Sequence, residues 1–162
     1  TVVFVLFTGE EVGGLGSRWY LDHPAVPLDQ TVAQLQIEMV GRPDSLAGGP
    51  GMLWATGYDR STVGAIFSSL GVPVVADPYP DENFFFRSDN VRFAYEGIPA
   101  HTLSSFNLHS DYHRPSDEVV NVDLDHMVLA VETVIMAVRA LADAPSAPAW
   151  NEGGRPEERT GG

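Results

Sequence analysis

The sequence predicts an α/β layered fold with a largely parallel sheet, on three observations. Apolar runs rich in Val, Ile and Phe alternate with segments of helical period, the order produced when helices cross between parallel strands. Hydrophobic residues make up 44% and charged residues 19% of the 162 residues, which describes one globular domain with a core and not a disordered chain. There is no cysteine, so that core must hold by packing, and disulfide scaffolds, thiolate zinc sites and cysteine nucleophiles are excluded.

Taken in order, Val2 to Phe7 is a continuous β-branched and aromatic run that predicts a strand covered on both faces. It stops at Thr8-Gly9-Glu10-Glu11, and because a domain rarely opens inside a central strand, the chain is expected to be the C-terminal part of something longer. Gly13-Gly14-Leu15-Gly16-Ser17 leads into a short helix over 18–22, closed by His23-Pro24. Val32 to Met39 predicts a second strand, with a turn at Gly41-Arg42-Pro43-Asp44, and Met52 to Ala55 a further one. Arg60 to Leu70 predicts a helix stopped by Gly71 and Pro73, and Asp77 to Asn83 a Pro-rich loop. Ser88 can cap a helix running to about Glu96, with Gly97 past its end. Ile98 to Leu103 predicts a strand and Ser104 to Asp117 a long polar loop. In the last helix, capped by Asp123, an apolar face repeats through Leu124, Met127, Val128, Val131, Val134, Ile135, Val138 and Leu141. From Ala144 to Gly162 the composition predicts a disordered tail after a domain over 1–143.

Nine arginines against 22 acidic residues leave a net charge of −13. That balance is a poor match to phosphate backbones or anionic lipid surfaces, so nucleic acid is excluded as a partner. No apolar run is long enough to span a membrane.

In parallel sheets ligands gather beyond the carboxyl ends of the strands, and Glu10, Glu11 and Glu38 fall at such ends. Two adjacent carboxylates after a buried strand repel and lose hydration, which raises a pKa unless a cation compensates. His109 to Asp117 gathers two His, two Asp and a Tyr in nine residues of a loop that Pro115 stiffens. Imidazole is a favoured zinc ligand, and a neighbouring carboxylate can hold its second nitrogen. His23, His101 and His126 lack such company and read as surface or satisfied core residues. No G-x-S-x-G elbow, H-E-x-x-H helix, Lys-bearing phosphate loop or G-x-G-x-x-G turn is present.

Together Phe7-Thr8-Gly9-Glu10-Glu11, Gly14-Leu15-Gly16-Ser17 with Tyr20, Glu38-Met39-Val40-Gly41, Arg87-Ser88-Asp89, Gly97-Ile98-Pro99-Ala100 and Tyr112-His113-Arg114-Pro115-Ser116-Asp117 resemble the M28 family of zinc aminopeptidases. The resemblance implies a three-layer α/β/α sandwich of the zinc-exopeptidase type with a mostly parallel mixed sheet, here truncated at its N-terminal side. It implies that Glu10 is the general base and that Tyr112 donates its hydroxyl to the tetrahedral oxyanion. Glu11 and His113 would ligate one zinc ion and Glu38 a second, with Arg87 helping to orient the amino end of a peptide substrate. Two zinc ions are thus expected in the full-length protein, and export is favoured only by analogy with relatives. Oligomeric state is not legible.

Two departures qualify the resemblance. The family usually has Asp where Glu38 stands, one methylene shorter. Its first His ligand and its bridging Asp lie upstream of the strand that opens this chain, so this piece alone is expected to bind zinc weakly and to be inactive. The related M20 deacylases and dipeptidases also use a Glu-Glu pair, but usually carry an inserted domain, for which the segment between Glu11 and His113 has no room. Glutaminyl cyclase chemistry on the same scaffold and a non-catalytic, peptidase-like binding module are the other readings.

Overall fold

The computed structural model describes residues 1–157. Its centre is a four-stranded mixed sheet of β1 (Gln34–Ile37), β2 (Leu53–Ala55), β3 (Val74–Ala76) and β4 (Ala100–Ser104), in the order β1-β4-β2-β3. β1 runs parallel to β4 and β2 parallel to β3, while β2 meets β4 antiparallel. The carboxyl ends of β1 and β4 and the amino end of β2 therefore share one edge of the sheet.

Side-chain alternation along the strands separates the layers. Leu53, Ala55 and Leu103 face one side, where α2 (Thr62–Ser69) and α4 (Leu124–Ala142) bring Val63, Phe67, Ala130 and Ala137 against them. Ala100 faces the other side and meets Val91, Phe93 and Ala94 of α3 (Asn90–Tyr95), with Tyr20 and Leu21 of α1 (Leu15–Asp22) packed behind. Trp54 also points away from α2 and α4, stacking on Phe84 at 5.4 Å beside Phe106. Among the described residues no helix is long and apolar enough to cross a membrane.

Sequence and structure part company in five places. Val2 to Phe7 forms no strand: Phe4 and Leu6 are 88% and 100% exposed, and among the described residues the segment has no neighbouring ladder. An apolar run signals a preference for burial, but a strand exists only where a second backbone completes it. In α4 the buried positions are His126, Ala130, Thr133, Ala137 and Ala140, whereas Leu124, Val128, Val131 and Ile135 are exposed. This helix is apolar nearly all round, so periodicity could not choose its face; the small Ala residues allow the closest approach to α2 and the sheet. Ser88 is no cap, because α3 begins after Asp89 and the Ser88 hydroxyl is used elsewhere. β3 and the 3₁₀ turn Phe84–Phe86 had no periodic signal, being three residues each.

The stretch after Ala144 docks instead of trailing. Trp150 packs against the α3 layer, donates Nε1–H to the Gly97 carbonyl at 2.8 Å, and sits in a bridge pairing with Ser61. One large aromatic with a ready acceptor outweighs a Pro-rich composition. The rest of the expected tail, 158–162, lies outside the described residues.

Candidate active site

The segment bearing Glu10 and Glu11 is fixed by a glycine turn and not by a sheet. The Glu10 carbonyl accepts from Gly13 N–H at 3.0 Å and Gly14 N–H at 2.9 Å, and Gly16 N–H donates to the Thr8 carbonyl at 2.8 Å. A Cβ on Gly16 would lie 2.6 Å from the Thr8 nitrogen, so only glycine lets α1 approach this backbone so closely. Phe7 anchors the near side on Tyr20 and Phe93, with ring centroids 5.8 and 5.9 Å away.

Glu38 arrives from the end of β1. Its N–H still donates to the Leu103 carbonyl at 3.3 Å, but Met39 has φ +50° and takes the chain out of the sheet at once. A left-handed non-glycine residue costs about 1–3 kcal/mol and persists only where its surroundings over-determine it. The third contribution is the loop after β4. There Tyr112 packs on Phe106 at 4.8 Å and stacks on His113 at 3.9 Å, while His113 itself has φ +57°. Asp111 and Asp117, which enriched the sequence cluster, are not turned toward a ligand: both pair with Arg42, at 2.9 and 2.6 Å, and brace the loop.

These pieces converge. A cleft of about 280 Å³ is lined by Glu10, Glu11, Glu38, Arg87 and Tyr112, walled by Phe7, Trp54, Phe84 and Phe106. His113 Nε2 lies 2.7 Å from Glu11 Oε1, across 102 residues of sequence. Glu38 lines the same cleft but is held by the Ser88 hydroxyl, which donates to its Oε2 at 2.5 Å. Arg87 pairs with Glu82 at 3.0 Å and lies over the Phe84 ring. Among the described residues no group of three or more His, Asp or Glu side chains gathers closely enough to hold an ion. Thus Glu11 and His113 meet as a pair, and Glu38 stands apart in the same cleft.

Asp89 is the cleft residue to which sequence reasoning gave no role. It is 2% exposed, Oδ1 accepts from the Ser17 hydroxyl, and Oδ2 is buried without a partner. The Arg87-Ser88-Asp89 run was its only sequence signal.

Burial, and after it the crowding of carboxylates, explains the electrostatics. Burial, then the charges of Glu11 and Asp89, push the Glu10 pKa up, against a smaller pull from His113 and Arg92. Burial likewise raises Glu38; the Ser88 hydrogen bond opposes it, and the charges of Glu10, Asp89 and Glu11 add to it. A carboxyl with a raised folded-state pKa favours the folded protein below its unfolded pKa of about 4.3, and that contribution is lost as pH climbs through the folded value. The metal-free protein is therefore expected to lose stability as pH rises from about 4.3 through the raised carboxyl range. Glu38→Gln should flatten that slope in thermal unfolding followed across the range with a chelator present. An unchanged slope would show that Glu38 carries none of this cost.

The donor set suits zinc in part. A carboxylate beside an imidazole is an O/N pair of the kind zinc takes, and an orphaned buried carboxylate oxygen in a negatively charged cleft is a deficit that a cation offsets.

No curated protein sequence matches the chain. Among solved structures it is similar to BSAP, a zinc aminopeptidase from Bacillus subtilis, with 21% identity, a TM-score of 0.63, and 82% of this chain covering 34% of that one. It is also similar to an aminopeptidase from Aneurinibacillus sp. strain AM-1, with 24% identity, a TM-score of 0.60, and 90% of this chain covering 33% of that one. At these identities the likeness shows the fold, and the chain spans about a third of the length of either enzyme. The model of Peptidase family M28 matches residues 1–138, and the chain belongs to that family.

Proposed function

We propose that this chain supplies one side of the active site of a zinc-dependent aminopeptidase, hydrolysing N-terminal residues from peptides in the full-length protein. The observation that carries the reading is the Glu11–His113 pair, joined at 2.7 Å across 102 residues of sequence, with Glu11 lining the cleft that also holds Glu10, Glu38 and Tyr112. Family membership and the zinc aminopeptidases among its structural neighbours support it.

Glu11 and His113 would hold one zinc ion and Glu38 a second. Bound there, zinc would polarise the scissile carbonyl and make water acidic enough to attack at neutral pH. Glu10, with its raised pKa, takes the proton of the attacking water and hands it to the leaving amine. Tyr112, braced between Phe106 and His113, offers its hydroxyl to the carbonyl oxygen as charge develops on it. Arg87 lies at the rim, where it can orient the amino-terminal end of the peptide through backbone carbonyls; Glu82 already compensates its charge. The negative cleft favours the protonated terminus of a substrate.

The test uses the full-length protein. Zinc analysis should find bound metal, and a Leu-anilide with a free amine should be hydrolysed while its N-acetylated form is not. Loss of ammonia from an N-terminal Gln peptide, leaving a pyroglutamyl peptide with its peptide bonds intact, would replace this reading with cyclase chemistry. A folded, metal-free, inactive protein would replace it with a binding module.

A further inference from the structure

The geometry points to His126, a residue of α4 outside the cleft, as a positioning residue for Glu38. This inference rests on the proposed role of Glu38 as a metal ligand. His126 is fully buried. Its Nδ1 accepts the Gly51 N–H at 3.0 Å, so in the neutral ring the proton sits on Nε2, which lies 3.0 Å from the Ser105 Oγ and donates to it. Ser105 can then send its own hydroxyl hydrogen onward to the Met39 carbonyl at 3.3 Å, and its N–H reaches the same oxygen at 3.4 Å. Every donor in this chain points one way, from Gly51 through His126 and Ser105 to Met39.

The end point is what gives the chain its function. Met39 is the residue with φ +50° that ends β1 directly after Glu38. The Ser104 hydroxyl adds a third donor to its carbonyl at 3.5 Å, so one strained peptide is held by donors from the end of β4, and His126 orients the Ser105 hydroxyl. Releasing that carbonyl lets the backbone relax out of the left-handed region and carries the Glu38 carboxylate with it. Partners that orient a ligand without touching the metal typically alter affinity by about 10–100-fold.

Two amides dissect the ring, because Asn places an acceptor where Nδ1 was and Gln places a donor where Nε2 was. In the full-length protein, titrated with cobalt(II) and followed by its visible absorption, His126→Asn should weaken binding about tenfold. His126→Gln should stay within about threefold of the parent. Thermal unfolding of both variants reports the purely structural share separately. Equal cobalt affinity for Asn and Gln, or a weaker Gln, overturns the inference. A parent protein that binds no cobalt defeats the aminopeptidase reading, and this inference with it. Should neither variant fold, Ser105→Ala against Ser105→Thr makes the same comparison one link nearer to Met39: Ala is expected to weaken binding, Thr to preserve it, and equal effects overturn the inference.

Discussion

Replacing Glu10 by Gln in the full-length protein is expected to lower kcat on an aminoacyl anilide by about 10²–10⁴-fold, with KM within about threefold and zinc content unchanged. Gln keeps the shape of the side chain and its hydrogen-bonding reach, and removes only the capacity to accept and return a proton. The location favours a base that must also serve as an acid. Glu10 is partly buried, and the charges of Glu11 and Asp89 push its pKa upward, toward the range in which both halves of the proton transfer are easy. Its backbone is pinned by the Gly13 and Gly14 N–H groups, which the substitution leaves alone, so a loss of rate cannot be assigned to a collapsed turn. Steady-state kinetics beside metal analysis decides the matter. If zinc falls along with kcat, Glu10 is a ligand and the base lies elsewhere; if kcat falls by less than tenfold, the cleft has another proton acceptor, for which Asp89 in the same lining is a candidate.

The parts of this site that the sequence displayed are those whose signal was local. Glu10-Glu11 stood at the end of an apolar run before a glycine turn, and the turn is real even though the run forms no strand: Gly16 is needed at its close approach to Thr8 whatever Val2 to Leu6 do. Tyr112-His113 stood in a loop dense in ionisable groups, yet density misled about roles, since Asp111 and Asp117 serve Arg42. Long-range pairings left no trace. Ser88 has every attribute of a helix cap and spends its hydroxyl on Glu38, fifty residues away. His126 looked like an isolated histidine on an apolar helix because Ser105 and Gly51 are its neighbours only in space. The face of α4 differs from its periodicity for a related reason: with apolar residues around most of its circumference, burial is decided by how closely Ala130 and Ala137 let α2 and the sheet approach. The sheet itself was legible in outline, with β3 lost to its brevity and the β2–β4 antiparallel contact invisible to any pattern read along one strand.

Removing His113 should separate metal binding from folding more sharply than any substitution in the cleft. His113 and Glu11 are largely exposed, with side chains 55% and 69% accessible, so without metal their contact is a surface pair worth about 0–1 kcal/mol. His113 also sits at φ +57°, where glycine is at ease and a side chain is strained by about 1–2 kcal/mol. His113→Gly therefore loses a weak surface hydrogen bond, relieves backbone strain and adds unfolded-state entropy. These terms offset one another, and the metal-free protein should keep its stability within about 1 kcal/mol. The holoenzyme should behave oppositely. With one of the two donors that this chain supplies to it gone, the ion beside Glu11 is expected to bind at least about 100-fold more weakly, exceeding the usual cost of losing an outer-shell partner. Activity should fall with it and the zinc-dependent rise in melting temperature should shrink. Denaturant unfolding of the chelator-treated protein, compared with melting at increasing zinc, measures both quantities on the same two samples. Strain retained at a position that contributes so little to the metal-free fold makes sense only if the conformation serves the ion. A variant that bound zinc as tightly as the parent would remove His113 from the metal site and leave Glu11 without its partner donor.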